Sequence, residues 1–218
     1  MLATLSADDR NVTGVWPVAL GAGFVLLALC GVAVALPLGH LATLMAIHIF
    51  AMNVAAPTLA VVLALTGYAG ARRALLWPIA FGQLALLGVW HLPSVHQAAM
   101  HAPALHGLLL VALFLAATLF WLALLTAGGN DRWRAIFVLL VTGKIACLIG
   151  ALLTFAPRPL YMMHGDAGFG IADQQMAGLL MIAACPLSYV VAGVVFAGQW
   201  LADLEKPETV AAARPSIW

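Results

Sequence analysis

Four of the chain's seven histidines crowd into one stretch, Trp90 to His106, which reads WHLPSVHQAAMHAPALH and contains no Lys, Arg, Asp or Glu. They are His91, His96, His101 and His106. Imidazoles at this density suit transition-metal ligation, or they are polar groups at a membrane–water interface. A second pattern lies upstream. Met45, His48 and Met52 are spaced i−3, i and i+4, so a regular helix would carry them on one face. A neutral imidazole between two thioethers fits a soft cation, above all Cu(I). The competing reading is that Met is apolar filler and His48 bonds a neighbouring helix.

Each histidine has a different setting. His91 follows Trp90 at the end of an apolar run, and Pro93 then stops or turns the chain. His101 precedes Ala102-Pro103, where the proline is placed to open the next helix. His106 falls in that helix's first turn, where the positive end of the helix dipole favours a neutral imidazole. For His96 and His101 an interfacial, headgroup-level position is expected. For His91 and His106 ligation and an interfacial role are equally open. Further on, Met162, Met163 and His164 form another soft cluster on a Pro- and Gly-rich loop, and Asp173-Gln174-Gln175 opens the last apolar run. Asp173 reads either as an N-cap or as a group orienting an imidazole through its second nitrogen.

The elements that must position these groups are membrane helices. Of 218 residues, 65% are hydrophobic and 8% charged, against about 25% charged in soluble domains. Six runs reach the roughly 20 residues that span a bilayer. They are Val15–Leu36, Leu41–Thr66, Ala74–Trp90, Ala104–Ala127, Arg134–Phe155 and Gln175–Leu201. The expected fold is therefore all-α: an integral membrane bundle of six transmembrane helices over residues 15–201. Residues 1–14 form an N-terminal cytoplasmic segment and 202–218 a polar, loose cytoplasmic tail. Pro57 is expected to kink the second span, and a buried Asn53 there needs a partner. Lys144, the one charge deep in a span, is expected to snorkel.

Positive charge sets the orientation. With both termini cytoplasmic, Arg10, Arg72, Arg73, Arg132, Arg134, Lys206 and Arg214 lie inside and only Arg158 outside. All seven histidines, His40 included, then belong to the outer half of the protein. Net charge is +1, which gives no electrostatic case for nucleic acid. Cys30, Cys147 and Cys185 are scattered in apolar runs without a CxxC spacing, so they read as small buried hydrophobes. No HExxH motif, phosphate-binding glycine loop or nucleophile triad is present, and no catalysis is expected.

The stretches WHLP (Trp90–Pro93), PALH (Pro103–His106), PLY (Pro159–Tyr161) and ADQQMAGLLM (Ala172–Met181) resemble the CtaG-like family of multi-span cytochrome c oxidase assembly factors. The resemblance covers about residues 40–200. It implies a helical bundle in the bacterial inner membrane, with haem–copper oxidase subunits, membrane lipid and copper as partners. Copper binding or delivery on the periplasmic side is the implied function. Residue by residue it carries over His48, Pro57, Trp90, His91, Pro93, His106, Asp173, Gln174 and Gln175. The family's H-x-x-x-H pairs are each half-lost here: Leu44 stands four residues before His48, and Leu110 four after His106. Ile182 replaces the usual aromatic after LLM. The expected metal ligands are His48, His91, His106 and Asp173, with Met45 and Met52 in support. Two other functions are compatible with the residues. One is haem binding, with His48 and His106 as axial ligands, and the other is a metal-free structural subunit of a respiratory complex.

Overall fold

The computed structural model describes residues 38–65, 75–128, 131–161 and 170–212, without the side chains of 65 and 205–212. The first expected span, the segment 1–14, Arg72, Arg73, the Met162/Met163/His164 cluster and the last six residues lie outside this set. Among the described residues the chain is all helical, with no strand. The elements are α1 (His40–Phe50), a π turn (Ala51–Ala55), α2 (Ala56–Leu65), α3 (Leu76–Trp90), α4 (Pro93–His101), α5 (Pro103–Leu125), α6 (Arg132–Phe155) and α7 (Ile171–Ala212).

Four stretches are long and apolar enough to cross a membrane: His40–Ala64, Pro103–Leu125, Arg132–Phe155 and Ile171–Leu204. The pair α3 and α4 passes the same test jointly but is bent by 70°. The sequence suggested a plain connection between Trp90 and His106; instead the chain folds a nine-residue helix into it. Two prolines explain this. Leu92 and Ala102 are extended, and Pro93 and Pro103 each sit in the first turn of the helix that follows. Proline has no N–H to lose at that position and its fixed φ already suits a helix. The last helix also departs from expectation. It starts at Ile171, so Asp173 is inside its first turn, and it continues to Ala212, past the Leu201 end and into the supposed loose tail.

α6 and α7 pack along much of their length, α7 also covers α1, and α5 packs against α2, α3 and α4. Two glycines set the α6–α7 approach. A Cβ on Gly178 would collide with the Thr154 hydroxyl and lie 2.6 Å from the Gly150 carbonyl oxygen. A Cβ on Gly150 would lie 2.9 Å from the Gly178 oxygen. The two backbones are in direct contact, which only small residues permit, and close packing is what drives helix association in lipid.

The bundle interior holds a polar knot. A π turn shifts the hydrogen-bond ladder and frees carbonyls. It falls just before Pro57, which has no N–H to contribute to an α-type ladder. The Trp121 indole of α5 donates to the Met52 oxygen at 3.1 Å, and the Asn53 amide donates to the Ile49 oxygen at 3.1 Å. Asn53 in turn accepts from the Ser188 hydroxyl at 2.6 Å. Beside it the Gln83 amide donates to the Tyr189 hydroxyl at 3.3 Å, and the Tyr189 ring stacks on Trp121 at 5.6 Å. Asn53 thus has the partners its burial demands. Lys144 is exposed on the outside of α6, as snorkelling requires.

Because Gly178 has no room for a side chain, Gly178→Leu is expected to lower the unfolding free energy by about 1–3 kcal/mol, the usual range for overpacking. Gly193→Leu, where a Cβ meets open space, is expected to leave it within about 0.5 kcal/mol. Thermal unfolding of both variants in detergent checks the contrast.

Candidate functional site

Four helix ends meet at one end of the bundle: the starts of α1, α5 and α7 and the finish of α3. Asp173 ties two of them. Its carboxylate accepts the Leu41 N–H at 2.8 Å and the Ala42 N–H at 3.0 Å, so it caps α1 from the neighbouring helix α7. These are orphan donors of a helix N-terminus, where negative charge is favourable. Gly39, the residue before α1, lies so close that any Cβ there would overlap the carboxylate. Each Asp173 oxygen thus accepts one backbone N–H of α1, so the residue caps its neighbour and is not the N-cap of its own helix, which starts at Ile171.

The next residue, Gln174, organises the turn after α6. It accepts from the Leu160 N–H at 2.6 Å and donates to the Leu153 oxygen at 3.1 Å. That turn delivers Tyr161, whose hydroxyl donates to the His91 carbonyl at 3.0 Å. Burial pushes the Tyr161 phenol up to about 12, so it stays a neutral donor.

Within this frame the imidazoles come together around Trp90. The His48 and His91 rings lie 5.4 Å apart, edge to face. Both are buried, His48 at 0% exposure. His91 Nδ1 lies 2.8 Å from the Leu87 oxygen, one turn back. A carbonyl only accepts, so Nδ1 carries the proton and Nε2 presents its lone pair. That Nε2 is buried and has no hydrogen-bond partner. The His48 nitrogens likewise lack a hydrogen bond of normal geometry, beyond a weak interaction with the Leu44 carbonyl. Buried polar atoms without partners are uncommon, and two neighbouring imidazoles in that condition are a pair of available donors.

The Trp90 indole lies 6.4 Å from His48, 6.0 Å from His96 and 5.3 Å from His106, ring centre to ring centre. His96 also lies 4.7 Å from Tyr161. The expectation of a headgroup-level position therefore fails for His96, which is 2% exposed. His101 is exposed, with Nδ1 bonded to the Gln97 carbonyl at 2.8 Å. Helical spacing was the signal: on α4 His96 and Ala99 share the buried face. Trp90 and Tyr161 entered the sequence reading only through the resemblance, with no role at the site.

The proposed ligand set is gathered only in part. His48 and His91 are neighbours, and His106 is half-buried on Trp90. Among the described residues no three His, Cys, Asp or Glu side chains stand close enough to hold one metal ion, so His106 does not complete a three-ligand set with the pair. Met45 and Met52 are both buried. The π turn begins at Ala51, so the regular-helix spacing that aligned Met52 with His48 does not carry across it.

Asp173→Ala leaves the Leu41 and Ala42 donors uncapped and is expected to destabilise the protein by about 2 kcal/mol, near the upper end for helix caps. Asp173→Asn, which keeps one acceptor oxygen, should lose less. Unfolding in detergent orders the three proteins.

Comparison with known families agrees with this architecture. The family described as cytochrome c oxidase caa3 assembly factor (Caa3_CtaG) matches residues 2–203. No curated protein and no solved structure matches the chain. With nearly its whole length matched, the chain belongs to the cytochrome c oxidase caa3 assembly factor family.

Proposed function

We propose that this chain binds copper at the periplasmic face of the bacterial inner membrane and passes it to haem–copper oxidase subunits during assembly. The observation that carries this reading is the His48–His91 pair: adjacent, buried, and with ring nitrogens that lack good hydrogen bonds. Neutral nitrogens from two imidazoles make a ligand set for Cu(I), which tolerates low coordination, and thioether sulfur adds to it. Met45, one turn before His48 and fully buried, is the thioether nearest in sequence. Asp173 serves by fixing where α1 begins, and hence where His48 stands, rather than by ligation.

The orientation follows from the positive-charge bias, which favours the histidine end outside and both termini in the cytoplasm. Arg132 and Arg134 lie at the far end of α6 from Tyr161 and the His91 turn, as that orientation requires. An axial haem ligand pair of His48 and His106 is less well supported. Trp90 lies against both rings, and a macrocycle bound by both would have to displace that buried indole.

Titration of the purified chain with Cu(I) against a competing chelator tests the reading. His48→Ala/His91→Ala should bind at least one equivalent less than the unmodified chain, with its helical content retained. Unchanged stoichiometry in that variant removes the assignment.

A further inference from the structure

The charges within the four long spans are Arg132, Arg134, Lys144, Asp173 and Asp203. Arg132 pairs with Asp203 and Arg134 with Asp131, while Asp173 caps α1. Lys144 is in no ion pair among the described residues. It stands at the middle of α6, twelve residues from Arg132 and eleven from Phe155. That is about 17–18 Å of helix on either side, so the residue lies near the centre of a hydrocarbon layer about 30 Å thick. Its exposure permits snorkelling, but a four-carbon stem covers only part of that distance.

The face around Lys144 is apolar. Trp133, Phe137, Leu140, Leu148, Leu152 and Phe155 are all exposed, and their helical spacing puts them on the same side of α6. A single cation at mid-depth in such a face is costly against lipid, and charges inside membranes are paired as a rule. No apolar run of this chain supplies the partner. None of the eight Asp and Glu residues lies inside any of the six runs. The first run, Val15–Leu36, also lacks Asn, Gln, Ser, Thr and His. A second copy of the chain brings the same deficit.

We propose that the Lys144 face of α6 docks a transmembrane helix of another protein, one that carries an Asp or Glu near the middle of the bilayer. Lipid hydrates neither group, and at low dielectric the ammonium and the carboxylate attract strongly. Leu140 and Leu148, one turn to either side of Lys144, supply the apolar packing that seats the helix. This surface faces outward, whereas the His48–His91 pair is buried, and the inference does not depend on the copper reading.

The test uses the full chain in lipid nanodiscs and a synthetic leucine–alanine transmembrane peptide as probe. The peptide carries one Glu or one Gln at its centre, where its direction of insertion does not matter. Energy transfer between labelled chain and labelled peptide reads association. The central-Glu peptide should bind about tenfold more tightly than the central-Gln peptide. Lys144→Leu, on an exposed apolar face and so compatible with the fold, should erase that ratio, and Lys144→Arg should keep it. Lys144→Glu should reverse the preference, favouring a central-Lys peptide over the central-Gln one. Leu148→Trp should weaken binding of the central-Glu peptide, and Leu115→Trp, on the exposed side of α5, should not. Equal binding of the Glu and Gln peptides by the unmodified chain overturns the proposal. A dimer of the unmodified chain that Lys144→Leu dissolves also overturns it, by giving the face to a second copy.

Discussion

The Asp173 carboxylate holds two helices by their first turns, and the geometry of the histidine end follows from that hold. It fills the orphan N–H positions of α1 with a charge borne by α7, and Gly39 leaves it the space to do so. In a bilayer there is little water to take over those donors, so the register of α1 against α7 is fixed at that point. His48 lies two turns further along α1. Gln174, on the same turn of α7, fixes the end of α6 and the loop that carries Tyr161 to the His91 carbonyl. Adjacent residues of one helix thereby place both members of the imidazole pair.

The same requirement accounts for the interior. Two backbone oxygens at the π turn find side-chain donors, Trp121 for Met52 and Asn53 for Ile49. Asn53 is then bound by Ser188. Beside these bonded groups, the buried ring nitrogens of His48 and Nε2 of His91 lack hydrogen-bond partners.

Much of this architecture was legible in the residues. Long apolar runs located α1 with α2, α3, α5, α6 and α7, because span length and low charge leave few alternatives. Asn53 and Pro57 marked the irregular stretch of the second span, although a kink was expected where the chain forms a π turn. His48 and His91 were both singled out and are neighbours. What stayed hidden was contact between distant segments. Nothing local to Asp173 says that its partners are Leu41 and Ala42, more than 130 residues away in the chain. Nothing about His96, in a polar-looking connection, says that Tyr161 will cover it. The end of α7 was missed for another reason: Ala202–Lys206 are poor for a membrane but good helix formers, a property hydropathy does not see, and the helix runs on through Pro207 to Ala212.

The five residues from Ala51 to Ala55 also uncouple two halves of one rod. A turn of different pitch resets the angular phase, so what lies before Phe50 and what lies after Ala56 need not face the same way. The turn itself, through Met52 and Asn53, grips Trp121 and Ser188. One segment thus has a fixed joint in its middle, and substitutions that retune the imidazole half need not rotate the helix beyond that joint.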